Sequence, residues 1–266
     1  MWAIDCEMKK IVECARYSVN NLKNDRMRLA LFIFYVAFTL FSTVFFLAKG
    51  YIRNGLLPLG YAVLFIALLC LFEYFFGMRC GNAFLVILFS VPFGGILGTC
   101  YELYMYIPFF DTLLHTISGF IFAALGYSLM MRLLGGSEGK FFYANLLFGI
   151  AFSLGLATLW ELFEWLLTAL LNGDMLEDTV VYNIRSYFLS GSHNETVDIL
   201  NIEKTVIHYD GGRVYVLDGY LDLGGIDSLV DMAVCLAGTV SFFLLSIMGR
   251  LTGRDSMKYI VPKMIK

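Results

Sequence analysis

The chain has 266 residues, of which 59% are hydrophobic and 17% aromatic, while charged residues make up only 15%. That balance excludes an ordinary soluble domain, in which apolar residues hold about 45–50% and charged residues about 25%. The formal net charge of −3 hides an uneven distribution, because the charges gather between long apolar runs. The composition is that of an all-α polytopic membrane protein.

In chain order, residues 1–28 place Ile4, Met8, Ile11, Ala15, Val19 and Leu22 at steps of three and four. This spacing predicts an amphipathic helix on the cytoplasmic membrane surface, with a partner-binding helix as the alternative. The mixed polar start excludes a secretory signal. Six apolar segments are long enough to span about 30 Å of hydrocarbon, at 29–48, 57–77, 83–101, 111–134, 142–171 and 226–248. The first five fill 29–171 and the sixth stands alone after a polar stretch. Gly94, Gly95, Gly98, Gly119 and Gly126 predict close helix contacts, with a helix broken near Pro92 as the lesser reading. The stretch 172–225 predicts an extracytoplasmic loop. Within it, alternating β-branched and polar residues around Asp210-Gly211-Gly212 predict a β-hairpin that needs the bundle or a partner to dock on. Asn194-Glu195-Thr196 matches a glycosylation sequon, a tripeptide common by chance. Residues 249–266 form a basic tail. The six cysteines lack metal or redox spacing and read as small buried apolar residues.

Basic residues orient the bundle. With the N-terminus cytoplasmic, fourteen lysines and arginines fall on inner segments, including Lys9, Arg28, Arg79, Arg132 and Arg250; five fall outside. The positive-inside rule then puts both termini in the cytoplasm.

Three clusters interrupt the apolar runs: Asp111 with His115, Glu161 with Glu164, and Asp227 with Asp231. An ionisable side chain at the centre of a span costs about 2.5–3.5 kcal/mol on insertion scales and marks function by default. Each pair is spaced i,i+3 or i,i+4 and shares one helix face. In the predicted topology all three lie in the outer half of the bilayer, so the faces would form one outward acidic pocket. Five carboxylates and an imidazole raise one another's charge cost, which protonation, a cation or a water-filled mouth must relieve. Oxygen ligands with one imidazole suit Mg, Mn, Ca or Zn. The bland alternatives are helix capping for Asp111 and Asp227, a satisfied core imidazole for His115, and structural acids for the rest. Glu102 reads as facing water, and Glu73 lies at the opposite, inner end.

The order D-T-L-L-H-x-x-S-G-F, W-E-L-F-E-W and G-Y-L-D-L-G-G-I-D-S-L-V-D-M resembles the YjdF-type family of bacterial inner-membrane proteins over roughly 85–250. Asp227-Ser228 departs from the family's aspartate–threonine ending. More distantly, the order of acids and histidine resembles the VanZ-like family, linked to glycopeptide-antibiotic resistance. The resemblance implies the bacterial cytoplasmic membrane and supplies no reaction.

Three functional readings follow. The first is a cation-dependent enzyme on a lipid or lipid-linked envelope substrate, with His115 and Glu161 as ligand or general base. The second is a proton- or cation-coupled transporter. The third is a binding or assembly factor clipped by a structural ion. Membrane lipids are the expected partners. Nucleic acid is not, because the basic residues follow the inner surface without aromatic interleaving.

Overall fold

The computed structural model describes residues 12–13, 16–17, 20–70, 73, 77–171, 175–253 and 260–264. Most of the predicted N-terminal amphipathic segment lies outside them. α1 (Arg26–Ala48) begins where the Asp25 carboxylate accepts from the N–H groups of Met27 at 3.1 Å and Arg28 at 3.2 Å. α2 (Ile52–Cys70), β1 (Met78–Arg79) and α3 (Asn82–Cys100) follow. A single turn, α4 (Leu103–Tyr106), leads into α5 (Phe110–Leu134) and α6 (Lys140–Leu171).

Five described helices are long and apolar enough to cross a bilayer, namely α1, α3, α5, α6 and α8 (Gly225–Thr252). Of the predicted span at 57–77, residues 71, 72 and 74–76 lie outside the described residues. There the described helix starts earlier, at Ile52, and its apolar stretch Ile52–Ala67 is shorter than the other five. Gly77 is left-handed at φ +57°, and Met78–Arg79 are extended in β1. α3 runs unbroken through Pro92.

The chain divides into two compact units, Met1–Ala157 with Met232–Lys266, and Thr158–Asp231, so the boundaries fall inside α6 and α8. In the first unit the core is aromatic. Tyr35 of α1 sits between Phe65 of α2 at 5.5 Å and Phe89 of α3 at 5.4 Å. Elsewhere small residues set the spacing. A Cβ at Gly94 would meet Leu114, one at Gly95 the Tyr61 ring, and one at Gly149 the Ala123 carbonyl. Lipid tails are as apolar as leucine, so close backbone packing has to hold such helices together. Near the end of the sequence, residues 260–264 are described. β8 (Lys263–Met264) pairs antiparallel with β1, Met78 opposite Met264, and Val261 is buried in the same core.

The second unit contains three antiparallel strand pairs. β2 (Thr179–Val181) and β7 (Tyr220–Asp222) form a stem. β3 (Ile184–Ser186) pairs with β4 (Val197–Ile199), the short turn α7 (Tyr187–Ser190) lying between them. β5 (Lys204–Tyr209) pairs with β6 (Arg213–Asp218) across Asp210-Gly211-Gly212, where the hairpin was expected. The arms meet at the stem through the Ile202 N–H donating to the Tyr182 carbonyl at 2.8 Å and the Gly219 N–H donating to the Glu203 carbonyl at 3.0 Å. Among described residues 175–224, Leu176 is the only buried large hydrophobic side chain, so hydrogen bonds rather than a core hold the arms.

Candidate metal centre

Phe110 opens α5, which puts Asp111 in its first turn, where the helix N-terminus favours a negative charge. His115 follows at i+4 on the same face, and its Nε2 is 3.5 Å from Asp111 Oδ1. α8 runs alongside α5 in the same direction. Gly119 packs on the Cys235 backbone, Gly238 on Thr116, and Tyr127 further along α5 reaches Phe242 at 5.9 Å. That register brings Asp231, one turn before Cys235, to the level of His115. One ligand atom each from Asp111, His115 and Asp231 lie within 4.8 Å of one another. Donors on opposite sides of an ion stand about 4–5 Å apart when bonds are about 2.0–2.6 Å, so the spacing suits a hard or borderline divalent cation. Asp231 is buried at 3% exposure, and Asp111 and His115 are half-buried.

The other three expected site residues are placed differently. Glu161 and Glu164 are buried on α6, at 7% and 9% exposure, and are not among the three clustered donors. Asp227 lies in the first turn of α8 and its Oδ2 accepts the Glu177 N–H at 3.0 Å, tying the entering chain to that helix. Asp222, not Asp227, accepts the Ile226 N–H at 2.7 Å at the start of α8. Glu102 is exposed and left-handed at φ +61°.

Sequence reasoning missed a second polar cluster. Arg28, 2% exposed, pairs with Glu73, 1% exposed, through Nη1–Oε1 at 2.5 Å, and its Nη2 donates to the Cys80 carbonyl. Asn21 Nδ2 donates to the other Glu73 oxygen at 3.3 Å. Burial pushes the adjacent Cys80 thiol up to about 12; the Glu73 charge adds to the rise and Arg28 opposes it. The signal was an acid inside an apolar run, which requires a cation from a neighbouring helix; Arg28 was read only as a marker of topology.

Long apolar helices, a strand-built excursion and a clustered Asp–His–Asp set define an integral membrane protein with a candidate cation-binding centre. The chain belongs to the predicted membrane protein family DUF2238, whose model matches residues 27–251. That range holds all three acidic clusters and the Arg28–Glu73 pair, and agrees with the YjdF-type resemblance. No curated protein and no solved structure matches the chain.

Proposed function

We propose that this protein is a cation-dependent membrane enzyme acting on a lipid or lipid-linked envelope substrate. Asp111, His115 and Asp231 hold one divalent ion (Mg, Mn, Ca or Zn). Glu161 serves as general base, with Glu164 and Asp227 as supporting acids. The convergence of three donors from separate helix positions within 4.8 Å carries this reading. A cation there would polarise a substrate oxygen or lower the pKa of bound water. Lateral access suits an amphiphile, because Met105, Tyr106 and Phe109, just before Asp111, are 82%, 74% and 67% exposed. The topology that goes with it has six spans in a bacterial cytoplasmic membrane, both termini inside and the centre facing out.

Metal analysis of the purified protein tests the proposal. One equivalent of metal should be present in wild type and lost from His115→Ala and Asp231→Asn with the fold retained. Glu161→Gln should keep the metal and lose turnover of membrane lipid, followed by mass spectrometry of lipid extracts. Collapse of the fold together with metal loss would point to a structural clip instead. A metal-free wild type that takes up solute in vesicles according to pH would point to transport.

A further inference from the structure

We infer that the α5–α8 seam at Gly119 and Gly238 is a closed floor one helical turn past His115, across which neither water nor ions pass to the Asp111–His115–Asp231 centre. The inference builds on the cation-centre reading, but the closure belongs to helix packing and is tested without a metal.

Below the ligands the two backbones touch. A Cβ at Gly119, one turn past His115, would collide with the Cys235 carbonyl, and one at Gly238 with the Thr116 carbonyl. A water takes about 30 Å³ of liquid volume and needs two or more polar partners, and this seam has no such space. The nearby hydroxyls are already committed. Ser153 Oγ of α6 is 2.7 Å from Thr239 Oγ1 and 3.0 Å from the Gly119 carbonyl, and Thr239 Oγ1 is 3.0 Å from the Cys235 carbonyl, so the two hydroxyls find their partners within the seam. Ser153 and Thr239 are fully buried, and Cys235 is 1% exposed. On the α6 side, a Cβ at Gly126 would strike Phe152. Deeper still, Phe242 meets Phe120 at 5.5 Å and Tyr127 at 5.9 Å, both nearly edge-on.

No Asp, Glu, Lys, Arg or His occurs in 116–131 or 232–249, so Tyr127 and Cys235 are the only titratable side chains of α5 and α8 along this stretch. An ion leaving the centre in this direction would shed its hydration among aromatic rings, where nothing replaces the lost ligands. The seam therefore acts as a floor beneath the centre.

Native Cys235 reports on the floor and Asp231→Cys on the helix turn above it. A membrane-impermeant methanethiosulfonate is applied to either side of reconstituted vesicles, with labelled residues located by peptide mass spectrometry. Asp231→Cys should label from one side only. Cys235 in the otherwise native chain should stay unlabelled from both sides until the protein is denatured. Labelling of folded Cys235 from either side would overturn the floor, as would labelling of Asp231→Cys from both sides. If this pattern holds while wild type binds no Mn²⁺, the cation reading fails and the closed floor stands.

Discussion

Removing Glu73 should destabilise the protein more than any surface charge change. Glu73 and Arg28 are 1% and 2% exposed and their charges meet at 2.5 Å. Glu73→Leu leaves the guanidinium buried with the Cys80 carbonyl and its distant Asp25 contact of 3.9 Å. Breaking a buried pair by removing one partner costs about 3–5 kcal/mol, because the remaining charge is desolvated without compensation. At about 2–4 °C per kcal/mol for a chain of this size, Tm in detergent should fall by on the order of 10 °C. The reverse variant, Arg28→Met, should also destabilise, since it leaves the Glu73 carboxylate buried with the Asn21 amide at 3.3 Å in place of a cation. Replacing both at once, Arg28→Met with Glu73→Leu, should recover most of the loss, as apolar pairs of similar volume often match buried ion pairs. Thermal unfolding across pH, followed by tryptophan fluorescence, reads all three. A Tm for Glu73→Leu within about 2 °C of wild type would refute the claim that the pair is buried and uncompensated after truncation.

Cys80 should resist thiol reagents at pH 8 in the folded protein and react on unfolding, because burial holds its thiol up to about 12; rapid labelling of folded protein would contradict this. Asp25→Ala should lower stability by about 1 kcal/mol through loss of the α1 cap, measured as a Tm shift. Burial alone would raise the Asp25 carboxyl. The N–H groups of Arg28 and Met27, the Asn82 side chain and the Arg28 charge outweigh it and hold the carboxyl below 3.8. The cap's contribution is therefore complete above pH 3.8 and fades as pH falls through the lower folded value, so wild type and Asp25→Ala should converge in acid. Gly212→Val should open the β5–β6 hairpin, since Gly212 sits at φ +90° where a β-branched residue is strained. Amide exchange at Val206 and Val216 should speed up while the Tm of the helices stays within error; a large Tm drop would show that the arm is integral to the fold.

Much of the architecture could be read from one-dimensional pattern. Spans at 29–48, 83–101, 111–134, 142–171 and 226–248 each match a helix to within a few residues, because a bilayer demands long uninterrupted apolar runs. The hairpin at Asp210-Gly211-Gly212 was equally legible, since positive φ at adjacent residues selects glycine. The segment 57–77 is matched by α2 as far as Cys70, and most of its remainder lies outside the described residues. At the site, i,i+4 spacing joined Asp111 to His115. It could not say that Asp231 would come to the pair while Asp227 turned to the Glu177 N–H.

Sequence alone determined the solvent. Hydrophobicity and helical period are properties of neighbours along the chain, so they fixed membrane class, helix positions and which ionisable residues were out of place. Only the tertiary structure decided partnership: that Arg28 belongs to Glu73, that Gly119 and Gly238 let α5 and α8 touch, and that this register levels Asp231 with His115. The reason is that helix–helix register depends on which small residues let two backbones approach, a relation between distant positions that no local period encodes.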